Sequence, residues 1–317
     1  MFDRASKAFG ASLRTVRACA TSLGDISQTL TAAQKDLAAT RKRLDEMQRT
    51  LKDVKWELEA NRRNGDAERA VATWPIMEDV LATIEDRQLD FRATMQRLIS
   101  TEDSFARFGD GEIRLMVRSE FMLNFQVNSP ELQESLKAVF TEPPGNLLLG
   151  MPFMYRDRHW HKVWAELWPD AKRYIGMLDT YANSHVTRPV FFRFMRQEGA
   201  RMWRQVWADK TVALVTGEGS RFEYVPELFD SAASFDIMYS TPTNAFQELD
   251  SLLERIYASD AEIILLSLGP AGTVLAHQLA QSGRRALDVG HISNSYLNIF
   301  TSGKWPEKQP VTRAKGS

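Results

Sequence analysis

Asp110 and Glu112 flank Gly111 in the stretch "FARFGDGEIRLM", residues 105–116. An apolar, β-prone run stops at Gly109 and a helical pattern follows, so both carboxylates sit at a strand-to-helix junction. One reading is capping, with Asp110 as N-cap and Glu112 in the first turn, both answering unpaired N–H groups and the helix dipole. The other is an Asp-x-Glu pair of hard oxygen ligands for Mg2+ or Mn2+, an ion that would also grip a diphosphate. Such an ion works as a Lewis acid on a departing phosphate. His291, near Asp288 in "LDVGHI", is a candidate third ligand or a group acting on an acceptor hydroxyl. His159 and His161 in "DRHWHK" stand two apart with no third ligand nearby, which makes them surface or packing residues. Trp160, Trp164 and Trp168 recur every four residues and read as the packed face of a helix.

The elements that must position these groups follow from the apolar runs. "NLLLGMP" (146–152), "KTVALVTGE" (210–218), "FDIMYSTPT" (235–243), "AEIILLSLGP" (261–270) and "RRALDVGHI" (284–292) read as buried strands. Helical stretches at Tyr224–Ala233, 245–259 and 271–283 separate the last four. Buried strands alternating with amphipathic helices predict an α/β domain with a Rossmann-like, mostly parallel, doubly wound sheet. Ligands of such sheets bind beyond the carboxyl ends of the strands. Those ends carry Arg107, Gly109, Asp110 and Glu112, then Thr216, Gly217, Glu218, Ser220 and Arg221, then Thr241, Thr243 and Asn244. The last two carry Gly269, Pro270, Gly272 and Thr273, then Asp288, Gly290 and His291. The Gly-Pro-Ala-Gly turn at 269–272 is either an anion-binding helix start or simply a tight strand–helix turn. It is neither the GxGxxG fingerprint nor the P-loop lysine motif, so it specifies no dinucleotide and no ATP.

Ahead of this domain the pattern changes. Leu30, Ala33, Leu37, Thr40, Leu44, Met47, Leu51, Val54 and Leu58 alternate spacings of three and four, the a/d seam of a coiled coil. Charged residues fill the other faces, and a stripe this narrow predicts self-association rather than packing on the chain's own globular part. The expected organisation is a basic arm at 1–24, a coiled coil at 25–60, a polar linker at 61–72, the catalytic-type domain at 73–300 and a flexible tail at 301–317. The arm carries Arg4, Lys7, Arg14 and Arg17, which leaves open a peripheral contact with an anionic membrane face. A net charge of −1 excludes a protein built to coat nucleic acid. The single cysteine, Cys19, rules out a disulfide framework or a cysteine zinc site and fits a reducing, cytoplasmic setting.

Taken in order, "FARFGDGEI", "DTYANSHVTRP", "VALVTGEGSRFEYVPELFD", "STPTNAFQELD", "ILLSLGPAGTVLAHQLA" and "ALDVGHISNSY" resemble the bacterial glycosyltransferases with the GT-D fold, over residues 100–297. The resemblance implies a metal-dependent transferase that moves a sugar from a UDP-sugar to a glycan or other hydroxyl acceptor. Asp110 and Glu112 match the family's Asp-x-Glu motif, and the "GEGSR", "NAF", "LGP" and "DVGH" positions match blocks around its nucleotide cleft. On that reading Asp110, Glu112 and His291 hold Mn2+ or Mg2+ and the diphosphate. Arg221 and the Gly269–Thr273 turn neutralise the leaving UDP, and Thr243 and Asn244 orient the donor. Glu218, Asp288 and His291 are all open as the base. The family's LGP block usually continues Thr-Ala, whereas here Ala271-Gly272-Thr273 follows, so the donor contacts there differ. Two rivals stand beside this: a nucleotide-dependent methyltransferase, and a non-catalytic coiled-coil scaffold with a nucleotide- or glycan-binding domain.

Overall fold

A computed structural model of the chain describes residues 2–152 and 158–308, and of residues 2–9, 11 and 307 the backbone alone. The chain divides into two compact units, residues 1–69 and 70–317.

A single helix, α1 (Phe2–Ile84), makes up the first unit and enters the second. The break expected at 61–72 is absent: the helix runs through Gly65 and Pro75 without interruption. A glycine costs a helix only about 1 kcal/mol relative to alanine, and Asp66 with Arg69 forms an i,i+3 ion pair of 3.0 Å across that stretch. The basic arm is the start of the same helix; the side chains of Arg4 and Lys7 lie outside the described residues. No described helix is long and apolar enough to cross a membrane.

In the second unit, the end of α1 buries Met77, Val80 and Ile84. A 3-10 turn follows, then α2 (Phe91–Ser100), β1 (Ser104–Arg107), α3 (Asp110–Val117), α4 (Pro130–Thr141), β2 (Leu147–Met151) and α5 (Arg158–Ile175). β3 (Ala182–Asn183), a short strand with no apolar run to announce it, precedes α6 (Pro189–Val206), β4 (Thr211–Gly217) and α7 (Pro226–Phe229). The remainder is β5 (Ser234–Ser240), α8 (Leu249–Tyr257), β6 (Ile263–Ser267), α9 (Pro270–Gln281), β7 (Arg285–Asp288) and α10 (Ile292–Phe300). The helix expected over Tyr224–Ala233 is the single turn α7: Val225 before it is extended, a turn follows it at Asp230, and Tyr224, Phe229 and Phe235 pack as an aromatic cluster around it. The expected tail is fixed at its start, where Asn298 Nδ2 donates to Gly303 O (2.8 Å); residues 309–317 lie outside the description.

The strands form one sheet in the order β3-β2-β1-β7-β6-β4-β5, and every pairing is parallel. Alternate residues feed two cores, as strand geometry requires. Ala106, Ala213, Val215, Ile264 and Leu266 face one side with α3, α4, α5 and α9. Phe105, Val212, Leu214, Ile263 and Leu265 face the other with α2, α6 and α10. Trp160, Trp164 and Trp168 are buried along α5, as their spacing predicts, and Trp168 Nε1 donates to Asp79 Oδ2 (2.8 Å) on α1. The helix after β1 covers the first face and the helix after β7 the second, so the two connections part between adjacent central strands. In open α/β sheets such a divergence marks the carboxyl ends of the two strands, here β1 and β7, as the expected place of a ligand crevice.

Close packing beneath that crevice limits what β2 tolerates. A Cβ added at Gly150 would lie 2.8 Å from a Phe105 ring carbon and 3.1 Å from Ser184 Cα. Gly150→Ala is expected to cost about 1–3 kcal/mol through overpacking, read as a lower urea midpoint with an unchanged slope.

Candidate functional site

Arg107, the last residue of β1, reaches across the crevice to β7. Its Nε donates to Asp288 O (2.8 Å), its Nη2 to Asp288 Oδ1 (2.8 Å) and its Nη1 to Thr187 Oγ1 (2.7 Å). Asp288 is 2% exposed and also accepts from the Gly290 N–H (3.1 Å). A guanidinium so held can fix a carboxylate in a dry site, where a lone charge would be prohibitively expensive. Gly290 is in the left-handed region (φ 45°), and a Cβ there would collide with the Arg107 guanidinium. The glycine is therefore what allows the guanidinium to lie flat against this turn. Thr273 closes the group by donating its hydroxyl to Arg107 O (2.8 Å).

At the start of α3 the N-cap is Gly109, not Asp110, which is the first helical residue. Glu112 turns back so that its Oε2 accepts from the Gly109 N–H (2.9 Å), half of a capping box, since glycine has no side chain to return the bond. Capping is thus what Glu112 visibly does. Although not wholly shut off from solvent, it is packed tightly: desolvation pushes its pKa up to about 7, the Asp288 charge adds to the rise, and Arg107 opposes it. Asp288 is raised by burial too, against the pull of Arg107. Asp110 is different. Its side chain is 46% exposed and lies 3.5 Å from His159 Nε2. Two positions apart on a helix, Asp110 and Glu112 point to different sides. Among the described residues no three His, Cys, Asp or Glu side chains are gathered to hold an ion.

The Gly269–Thr273 turn begins α9, as expected, and its surroundings are filled from within. Gly269 has a positive φ of 58°, and a Cβ there would be 2.8 Å from the Phe125 ring. The Gly272 N–H donates back to Gly269 O (2.8 Å), and a Cβ on Gly272 would lie 3.9 Å from Asp288 Cγ. Asp288 is therefore the anion nearest this helix start. Pro270 and Thr273 are buried. Asn244, in the left-handed region at φ 55°, accepts from Val127 N with its Oδ1 (2.8 Å), and its own N–H donates to Phe125 O (2.7 Å). It pins the segment that carries Phe125. Thr243 O accepts from the Thr241 hydroxyl (2.9 Å).

Beyond β4, Thr216 and Ser220 share a 2.7 Å hydroxyl contact, the Ser220 N–H donates to Gly217 O (3.0 Å), and the Glu218 N–H donates to Ser240 O (2.8 Å). Glu218 is exposed and Arg221 partly so. His291 caps α10 from the β7 side, its carbonyl accepting from Ser295 N (2.9 Å). The structure thus brings Arg107, Gly109, Glu112, Thr273, Asp288 and Gly290 into one knot, with Asp110 at its edge. The contacts of Gly217, Glu218 and Thr243 run within the loops after β4 and β5, and those of Asn244 run to Val127 and Phe125, rather than to that knot.

Two participants were not singled out in the sequence, and a third was set aside there as a surface or packing residue. Thr187 completes the guanidinium's bonds from "SHVTRP", a segment with no apolar run to mark it. His159, the one set aside, stands beside Asp110 from α5, 49 positions along the chain. His185 is held down to about 3, by burial and then by Arg188 and Arg107, so it is a neutral group near the knot.

Solved structures place this architecture in a class. The protein described as "The highly conserved domain of unknown function 1792 has a distinct glycosyltransferase fold" superposes with a TM-score of 0.64 at 24% identity, over 74% of this chain and 87% of that one. "A New Glycosyltransferase (DUF1792) from Streptococcus sanguinis" superposes with a TM-score of 0.59 at 26% identity, over 68% and 85%. Residues 105–310 match the model of the glycosyltransferase GT-D fold family, and the chain belongs to that family. "Probable glycosyl transferase Gly" of Streptococcus gordonii is 28% identical over 68% of this chain, and "Glycosyltransferase GlyD" of Streptococcus pneumoniae is 29% identical over 77%. The chain spans about a third of the length of these curated relatives.

Removing one member of the buried pair exposes its energetics. Arg107→Ala is expected to destabilise by about 3–5 kcal/mol, the usual cost of leaving a buried charge without its partner. Adding Asp288→Ala should recover part of that loss in a double-mutant cycle by chemical denaturation. Glu112 supplies a pH signature. Its folded pKa lies above the unfolded value of 4.5, so its contribution is full below about 4.5 and lost as pH rises through about 7. Relative to wild type, Glu112→Gln should flatten the fall in stability between pH 5 and 8, read from thermal midpoints along a pH series.

Proposed function

We propose that the chain transfers a sugar from a UDP-sugar to a hydroxyl of a glycan acceptor with the help of Mg2+ or Mn2+. The observation that carries this reading is Asp110, an exposed carboxylate at the mouth of the β1/β7 crevice in a chain of the GT-D family. The donor set suits an ion that takes one or two protein carboxylates and completes its shell with water and substrate phosphates. It does not suit an all-protein cage, since Glu112 is engaged with Gly109 N and points elsewhere. When bound, the ion would supply charge neutralisation for the diphosphate leaving group.

The chain's own groups divide the remaining work. Asp110 is the proposed ligand, and Glu112 positions it by fixing the Gly109 turn. Arg107 and Asp288 hold the crevice walls at a constant separation, so that the carboxylate does not drift. Arg221 and Glu218, on the loop after β4, are the proposed contacts to donor phosphate and acceptor hydroxyl. Asn244 acts in this scheme by holding the Phe125 segment, with Thr243 beside it. His291, at the start of α10, is retained as the group facing metal or acceptor. His159 is added as a titratable neighbour of Asp110. Self-association through the N-terminal helix is part of the same proposal and is independent of the chemistry.

Calorimetric titration of UDP with and without Mn2+ tests the assignment. Binding should require the metal and weaken at least tenfold, about 1.4 kcal/mol, in Asp110→Ala, with an unchanged far-ultraviolet spectrum. Equal UDP affinity with and without metal, or in wild type and Asp110→Ala alike, would overturn it.

A further inference from the structure

The N-terminal helix carries a seam longer than the stretch from Leu30 to Leu58. Extending the heptad backwards puts Leu23 and Val16 at a, and Ile26 and Cys19 at d. From Val16 to Leu58 every exposed large apolar residue except Trp56 falls on a or d. That run is about 63 Å of helix at 1.5 Å per residue. Leu37 is 70% exposed and Leu51 65%, so the seam presents the kind of apolar row that a lone helix cannot leave in water without cost. Thr40, the polar d residue in its middle, donates its hydroxyl to Asp36 O (2.8 Å) and so turns no unpaired hydroxyl to the seam.

The flanking charges say what covers it. In this register the e positions are Gln34, Arg41, Gln48, Lys55 and Arg62, and the g positions include Asp36, Arg43, Thr50 and Glu57. A parallel copy in register sets each g residue against the e residue five places on in its neighbour. Asp36 then meets Arg41 and Glu57 meets Arg62, each twice by symmetry, and no like charges oppose. An antiparallel copy sets e against e, a row with cations and no acid, and g against g, where Arg43 is the one cation available to Asp36 and Glu57. Charge complementarity therefore favours a parallel second copy, which pairs both acids with e cations and leaves no repelling row.

We propose that the seam is covered by a second copy of this chain, parallel and in register, which brings the Cys19 side chains of neighbouring chains together. This rests on the self-association named above and adds its direction and register. Each assembly then carries more than one transferase unit on a common stalk, which raises the local concentration of sites for an acceptor with repeated hydroxyls.

The full chain is treated with a short bis-maleimide, which joins two thiols as thioethers only where they are close. Covalent pairs should form at Cys19, vanish in Cys19→Ser and fail to return when Thr21→Cys, an outward f position, is added to that variant. Light scattering should give a whole multiple of the 36.1 kDa chain mass, falling to one chain in Leu37→Asp/Leu44→Asp. A single-chain mass for wild type would overturn the proposal. So would a multiple without Cys19 coupling, which means another orientation, or equal coupling at position 21. UDP titration on the same preparations reports the transferase reading separately, since neither mass nor coupling depends on it.

Discussion

The ion pair between Arg107 and Asp288 is the constraint on which the crevice depends. It joins the carboxyl ends of two central strands whose following helices leave for opposite faces of the sheet. Neither charge is affordable there alone, and together they need every remaining hydrogen bond satisfied. That demand recruits Thr187 and the Gly290 N–H, and it forbids a side chain at Gly290. Segments far apart in sequence are thereby fixed to one another at the carboxyl ends of the central strands. The pair also acts on its neighbour: burial is the main cause that raises the Glu112 pKa, the Asp288 charge adds to the rise, and Arg107 opposes it.

Around that knot the rim separates into a closed and an open part. On the closed side, Asp288 lies against the start of α9, Phe125 covers Gly269, and Asn244 fastens the Phe125 segment in place. Helix N-terminal dipoles that would otherwise attract a ligand phosphate are answered there by the chain's own carboxylate. On the open side stand Asp110, His159 and the loop with Glu218 and Arg221. This asymmetry leaves Asp110, and not the glycine turn, facing solvent. It also explains how one short motif serves two ends: Glu112 caps the helix, and by doing so presents Asp110 outward.

The N-terminal unit obeys a different logic. Its apolar residues recur on a single narrow stripe, and its helix continues through a glycine that composition alone would read as a hinge. Continuity comes from good helix formers on both sides and from the Asp66–Arg69 pair. The polarity of residues 61–69 marks a change of unit rather than an end of helix.

What the sequence determined is what periodicity and strand ends encode locally. Apolar runs marked six of the seven strands, although β5, read as buried, is an edge strand with Ile237 and Tyr239 exposed; the parallel class followed from the alternation with helices, and polar residues at the carboxyl ends marked the rim. The three-four spacing marked the seam, and four-residue tryptophan spacing marked the buried face of α5. Tertiary structure alone decided which of the rim residues meet. Arg107 and Asp288 are 181 positions apart, and Thr187 lies 80 from Arg107, with nothing in either neighbourhood to pair them. It also decided that Asp110 and Glu112 part company, because their divergence depends on where α3 begins, and that start is set by the Gly109 turn packed in the crevice. A helix boundary one residue away moves each side chain by about 100°, and a pattern of residue types does not carry that precision.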